Sequence, residues 1–227
     1  AAFEEYMMTC FQGEACLLLW VNDPCLVCGR YQNVYEEINV PEAERRKIPV
    51  IRRNTGGGTV YHDRGNLNYT VIRRRAPEAN FEYDSFLTPV IEALRTIGAP
   101  VRKRNTCDIA VGDLKISGSA QSVKKDRILH HGTLLFDSDL SLLDEITTGR
   151  KNDAFCSKGT ESAICTVTNL RPYLKDDCEI VTFAKRLAEQ LLPPGSEQIR
   201  LTEPQLAEVR RLADETYHAW DWTWGKT

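Results

Sequence analysis

The sequence predicts an α+β fold, with short strands grouped as hairpins and amphipathic helices packed on the resulting sheet. Three observations carry this. Apolar or alternating runs at 15–21, 59–72, 108–119 and 128–136 are each bounded by Asn, Asp, Gly or Pro turn signals. Tyr83, Phe86, Leu87, Val90, Ile91, Leu94 and Ile97 recur at the helical period. A chain of 227 residues suits one large domain that buries a full core without staples.

Taken in order, the chain opens inside a helical pattern, with Phe3, Tyr6 and Met7 at helical spacing. No initiator methionine or capping residue precedes them, so the natural chain is expected to start a few residues earlier. The apolar run Ala15 to Val21 ends at the turn Asn22-Asp23-Pro24, and a second short run leads to Gly29, which together predict a hairpin of buried strands. Asn39-Val40-Pro41 and the charged run to Lys47 predict a short capped helix, and Pro49-Val50-Ile51 a strand. Thr59 to His62 and Leu67 to Ile72 read as paired strands around the turn at 63–66. Gly98 with Pro100 closes the long helix. Asp108–Val111 and Lys115–Ser119 are strands joined through Gly112-Asp113, and a further strand spans Ile128–Phe136. The polar segment from Thr147 to Thr166 has little periodicity and is too long for a routine connection. A helix begins near Glu179 and stops at Pro193-Pro194-Gly195. Thr202-Glu203-Pro204-Gln205 then supplies a cap, an early proline and a capping-box glutamine for a helix to about His218.

Acids and bases nearly balance, 32 to 29, so bulk charge points to neither nucleic acid nor membrane as a partner. No apolar run approaches the ~20 residues that span a bilayer, and no leader pattern is present, so a cytoplasmic chain is expected. The 8 cysteines are read as free thiols, because the chain is long and carries no export signal. Cys25 and Cys28 have the spacing of half a zinc site, but no second pair completes it, and they flank apolar Leu26 and Val27 as in a buried strand.

Function must therefore come from a site, and the richest stretch is 52–69. Gly56, Gly57 and Gly58 admit backbone angles closed to other residues and let a ligand approach the main chain. Successive N–H groups in such a turn form an anion-binding concavity, to which Arg52 or Arg53 can add a bidentate contact. A glycine-rich hairpin corner with surface arginines is the plain alternative. The second stretch is 107–121. Lys115 opens a strand bordered by Ser117, Gly118, Ser119 and Ala120, small residues that leave room for a ligand whose oxygens the ammonium would hold. An ordinary surface lysine after a turn is the alternative. Third, His130 and His131 are adjacent in a strand, so they point to opposite faces and cannot share one metal; one is expected at the site and the other in solvent. No metal site is assigned. Neither a P-loop nor a dinucleotide fingerprint is present, so a nucleotide would bind on a sheet surface.

Arg52-Arg53-Asn54-Thr55-Gly56-Gly57-Gly58, His62-Asp63 with Gly65-Asn66-Leu67-Asn68-Tyr69, Lys115 with Ser117-Gly118, and His131-Gly132-Thr133-Leu134-Leu135 together resemble the lipoate-protein ligase A family. Gly29-Arg30 with Gln32-Asn33, Lys158-Gly159 with Ser162, Val167-Thr168-Asn169-Leu170 and the tryptophan-rich end agree with it, so the resemblance covers nearly the whole chain. It implies an α+β catalytic domain over 1–227, with mixed, largely antiparallel sheets flanked by helices, similar to biotin protein ligases and class II aminoacyl-tRNA synthetases. It also implies activation of lipoate by ATP with Mg2+ to lipoyl-adenylate, and transfer of the lipoyl group to a lysine of an acceptor lipoyl domain or glycine-cleavage H protein. By the same resemblance Arg53, Gly58, Thr59, Val60, Tyr61 and Lys115 contact the nucleotide or lipoyl-adenylate, with Lys115 catalytic. Asp108, Ser117 and Gly118 stand beside the adenylate, and Gly56 and Gly57 border the acyl chain.

Two departures qualify this. The family pattern has Asn-Asp where this chain has Cys107-Asp108. Related octanoyltransferases use a cysteine nucleophile, so Cys107 is weighed as one in a cysteine-dependent octanoyl- or lipoyl-transferase, its thiolate favoured by a nearby lysine or backbone dipole. Long-form ligases also continue past the Trp-x-Trp-x-Trp-Gly-Lys segment into a small accessory domain, which residues 1–227 are expected to lack, so a separate accessory protein is weighed as a partner. Three closing tryptophans suit either a contact surface or packing back on the sheet. A non-catalytic lipoate- or partner-binding module is the third reading, against which intact Lys115 counts.

Overall fold

A computed structural model describes residues 1–75, 80–147, 159–163 and 165–225. The chain runs α1 (Ala2–Cys10), β1 (Ala15–Val21), β2 (Cys25–Cys28), α2 (Val34–Glu37), α3 (Val40–Arg45), β3 (Val50–Arg52), β4 (Val60–His62) and β5 (Asn66–Arg74). It continues through α4 (Tyr83–Thr96), β6 (Val101–Lys103), β7 (Asp108–Val111), β8 (Leu114–Lys124) and β9 (Arg127–Leu135). After these come α5 (Leu140–Ile146), α6 (Ile180–Leu191), α7 (Glu203–Leu212) and α8 (Trp220–Thr223). The predicted capping box of Thr202 and Gln205 starts α7, and a π-helical turn at Ala213–Tyr217 carries the helical path close to His218, as expected. Neither β6 nor α5 was expected. Lys158 and most of the polar segment 147–166 lie outside the described residues. Among the described residues no helix is long and apolar enough to cross a membrane.

Two sheets result, a six-stranded one ordered β1-β5-β9-β8-β7-β6 and a three-stranded one ordered β3-β2-β4. The large sheet is antiparallel throughout, and in the small one β2 pairs parallel with β3 and antiparallel with β4. The two hairpins expected from local sequence therefore do not form. β1 pairs along its whole length with β5, while β2 is the buried centre of the other sheet. Likewise β4 joins β2, and β5 returns to the large sheet between β1 and β9. Both turns are real, but each hands the chain from one sheet to the other. They lie side by side, tied by an Arg64–Asp23 ion pair at 2.7 Å and an Asn22–His62 hydrogen bond at 2.9 Å.

The two faces of the large sheet differ in chemistry, because successive residues of a strand alternate sides. Its back face carries Leu67, Tyr69, Ile109, Val111, Ile116 and Leu134, which form the main core with Leu87, Val90 and Leu94 of α4 and Phe183 and Leu187 of α6. The front face takes the alternate residues. Ile72 and Leu129 pack under Tyr6, Met7 and Met8 of α1, but Asn66, Asn68 and Thr70 are polar and 0–2% exposed. Buried polar groups at alternate positions of one strand need partners and mark a face built for something other than packing. The helical face of α1 is also rotated from expectation: Phe3 is 37% exposed, whereas Glu4 is buried because it bonds to Thr70 and His131.

Candidate active site

The front face near Lys115 owes its arrangement to a β-bulge. Asp108 faces Gly118 and Ile109 faces Ser117, but Ala110 faces Lys115, so Ile116 and Ser117 together oppose Ile109. A regular strand would send residues 115 and 118 to opposite sides; the extra residue brings both to the front, which is how bulges re-aim side chains beside active sites. Lys115 Nζ consequently lies 2.9 Å from Asp108 Oδ1. The Asp108 carboxylate is held in turn by Asn105, whose Nδ2 donates to Oδ2 at 2.8 Å while its Oδ1 accepts the N–H groups of Cys107 and Asp108 at 2.9 and 2.8 Å. Gly118 makes room, since a Cβ there would stand 2.9 Å from Nζ. On its other edge the Lys115 main chain is fixed by 166–168, with bonds to Thr166 O and from Thr168 N at 3.0 and 2.9 Å. This gives the Val167-Thr168-Asn169-Leu170 motif a physical role. Ser117, expected beside the ligand, turns to the buried back face.

Across the front lies the glycine turn. Gly57 has φ +89°, a value that favours glycine. Neither arginine before the turn is a free surface group. Arg52 is fully buried and donates to the carbonyls of Gly29 and Gln32, both at 2.7 Å, and of Trp222 and Thr223 at 2.9 and 2.7 Å. The Trp222 indole N–H returns a bond to Arg52 O at 2.9 Å, so the tryptophan-rich end packs back on the fold, with Trp220 alone of its three tryptophans largely exposed. Arg53 lies under the turn and donates to Gly56 O, Gly58 O, Val27 O and Thr55 Oγ1 at 2.7–3.0 Å. A trans peptide holds C=O and N–H antiparallel, so turning these two carbonyls onto Arg53 points the N–H groups of Gly57 and Thr59 away from it. Thr59 N donates to Ser162 Oγ at 2.9 Å, and Ser162 also receives a bond from Gln32 and donates to Glu37. Val60 is half-buried, and the Tyr61 side chain belongs to the core of the small sheet, so only its main chain borders the turn.

The histidines do take opposite faces, but neither is an exposed group: His130 is buried and the His131 side chain is 13% exposed. His130 is a core residue, stacked on Phe86 at 5.0 Å and bonded to Gln121. His131 faces the front, between Thr55 Oγ1 at 2.7 Å and Glu4 Oε1 at 2.8 Å. His62 accepts from Asn22; its pKa is pushed down to about 3 by burial and then by the charge of Arg53, which leaves a neutral ring. The Cys107 thiol is pushed up, first by burial and then by the Asp108 carboxylate, with Sγ 3.6 Å from Asp108 Oδ1. Proximity to Lys115 does not reverse this, so the expected thiolate is disfavoured. Sequence reasoning missed Glu4 and Asn105. Glu4 left a signal, an acid on the helix face shared by Met7 and Met8; Asn105 left none.

A family model described as lipoyl protein ligase A/B catalytic domain matches residues 1–192. The chain belongs to this family. Lipoate-protein ligase LplJ of Bacillus subtilis is 35% identical over all of this chain and 70% of its own length, and lipoate–protein ligase 1 of Staphylococcus aureus is 34% identical over 99% of this chain and 69% of its own. The fold matches a lipoate-protein ligase A bound with ATP at a TM-score of 0.80 and 25% identity, covering all of this chain and 93% of that one. A structure from an archaeal lipoylation system, described as a bi-partite lipoate protein ligase and its E2 lipoyl domain from Thermoplasma acidophilum, matches at 0.83 and 26% identity over all of this chain and 91% of that one.

Proposed function

We propose that the chain activates lipoate with ATP to lipoyl-adenylate and passes the lipoyl group to a lysine of an acceptor lipoyl domain or H protein. Kinship with lipoate-protein ligases supports the reaction class, and the observation that carries the site is Lys115, aimed by the bulge and held by Asp108 across Gly118. A lipoate carboxylate oxygen attacks the α-phosphorus of ATP, the bond to the departing oxygen breaks, and pyrophosphate leaves. The acceptor amine then attacks the acyl carbonyl, the bond to AMP breaks, and the amine gives up its proton. Lys115 places fixed positive charge where the phosphate and acyl oxygens gain negative charge. Gly57 N–H and the main chain of Gly58 to Tyr61 line the adenylate, Gly56 leaves room for the acyl chain, and Arg53 adds its charge from beneath. Among the described residues no group of three or more His, Cys, Asp or Glu gathers to hold a metal, so Mg2+ is expected to arrive on the phosphates.

The competing cysteine-dependent transfer needs a thiolate at Cys107, which burial and Asp108 disfavour. One assay separates the readings: lipoate, MgATP and an acceptor domain in one tube, octanoyl-carrier protein and acceptor without ATP in another. ATP-dependent lipoylation that survives Cys107→Ser and falls by about 10²–10³-fold in Lys115→Ala supports the ligase. ATP-independent transfer abolished by Cys107→Ser would overturn it. Modification that appears only when a small accessory protein is added would assign residues 1–227 as the catalytic part of a two-chain enzyme, and binding without either transfer would make it a binding module.

A further inference from the structure

His131 differs from the core histidine beside it in joining three separate elements. Its Nδ1 lies 2.8 Å from Glu4 Oε1 on α1, and the same oxygen accepts the Thr70 hydroxyl at 2.7 Å. Its Nε2 lies 2.7 Å from Thr55 Oγ1, in the segment that opens the glycine turn. Thr55 Oγ1 also accepts from Arg53 Nε at 2.9 Å, and Arg53 Nη2 grips Gly56 O and Gly58 O at 2.7 and 2.8 Å. The direction of each bond follows from the chemistry. A carboxylate only accepts, so Nδ1 carries a proton, and in the neutral ring Nε2 then offers its lone pair. The Thr55 proton must then point at Nε2, which leaves the hydroxyl's lone pairs for Arg53. Every hydrogen in the chain thus points toward Glu4, the arrangement in which successive bonds polarise and strengthen one another.

Glu4 is 4% exposed and Thr55 2%, and the His131 side chain 13%. Burial works to raise the Glu4 carboxyl, but His131 and Thr70 against it prevail and hold it well below the usual carboxylate range. A buried carboxylate on a helix, reaching a ligand-binding turn through an imidazole and a hydroxyl, does more than satisfy itself.

We propose that Glu4 and His131 are positioning residues, which fix the Thr55 hydroxyl and through it the Arg53 guanidinium that turns the glycine carbonyls inward and the Gly57 N–H outward to the nucleotide. This rests on the adenylation reading above. Glu4 and His131 touch neither reacting atom; they set the tautomer and the angle of the groups that do.

The first test reads the tautomer directly, on 15N-histidine-labelled full chain without substrate. His131 is expected protonated at Nδ1 in the native chain and at Nε2 in Glu4→Leu; a native ring protonated at Nε2 would overturn the proposal. The second test uses lipoate-dependent exchange of pyrophosphate into ATP. Thr55→Val and Glu4→Gln should each raise KM for ATP by about tenfold, the worth of one hydrogen bond, with kcat nearly unchanged. Thr55→Ser, which keeps the hydroxyl, should restore native KM. The double variant Glu4→Gln/Thr55→Val should be no worse than the poorer single one, because both cut one chain. Fully multiplied effects, or Thr55→Ser as impaired as Thr55→Val, would defeat the inference. If the native chain catalyses no such exchange, the adenylation reading fails while the tautomer measurement still decides the relay.

Discussion

At the scale of residues, two glycines near the site meet their neighbours in different ways, and the difference is testable. A Cβ on Gly118 would approach the Lys115 ammonium at 2.9 Å and Asp108 Oδ1 at 3.5 Å. The nearer atom is the tip of a flexible side chain, which can swing aside at little cost in stability. Gly118→Ala is therefore expected to leave the melting temperature nearly unchanged while lowering kcat/KM by about tenfold or more, since displacing a positioned group by ~1 Å costs that much or more. A Cβ on Gly29 would instead stand 1.9 Å from the main-chain oxygen of Gly57, where nothing flexible can yield. Gly29→Ala should reduce both stability and activity. Thermal melts beside initial rates distinguish the two, and a Gly118→Ala that melts much earlier than native would count against the assignment of its role. Alkylation of Cys107 offers a companion measurement. With its thiol pushed up by burial and Asp108, iodoacetamide should label it at neutral pH more slowly than a free cysteine in a peptide.

At the scale of elements, existence and type were largely legible and partnership was not. The capping box, the period of α4 and the glycine at +103° after it are local signals, and local chemistry decides them. Strand pairing is decided by which apolar faces meet, and the turns at Asn22–Pro24 and 63–65 look alike whether they fold a hairpin or pass between sheets. The same limit applies to the site. The glycine turn and Lys115 stood out by residue type, but the bulge that brings Lys115 to Asp108 depends on a register no local pattern carries. Arg52 shows the limit most clearly: paired with Arg53 it reads as an anion contact, yet it is wholly buried and joins the 29–32 loop to the 222–223 segment. Arg52→Lys keeps the charge but cannot span both segments with one flat fork. Several buried carbonyls would lose their donor, at a cost expected to exceed about 3 kcal/mol. Urea unfolding with a lowered midpoint and unchanged m-value would show it; a midpoint at the native position would mean the closing segment is held by its tryptophans instead.

At the scale of the whole molecule, each of the two sheets carries a buried neutral histidine, His130 in β9 of the large sheet and His62 in β4 of the small one. His130 sits against Phe86 with its pKa pushed down to about 3, chiefly by burial; His62 is pushed down to about 3 as well. The sign of the consequence follows from proton counting. Above the unfolded value of about 6.5 both rings are neutral in either state and contribute nothing to pH dependence. Below it the unfolded chain binds protons that the folded chain refuses until about pH 3, so stability falls as pH falls between those limits. Each histidine contributes a slope of roughly 1.4 kcal/mol per pH unit within the window. Glu4, whose carboxyl is held low, adds its own loss only below the unfolded carboxylate range, so the interval from pH 6.5 to 4.5 belongs to the histidines. Unfolding free energies from urea titrations at pH 7.5, 6.0 and 5.0 should trace this decline. His130→Gln, though less stable throughout, should show about half the native slope. A native stability flat across that interval would mean that one or both rings charge within the fold.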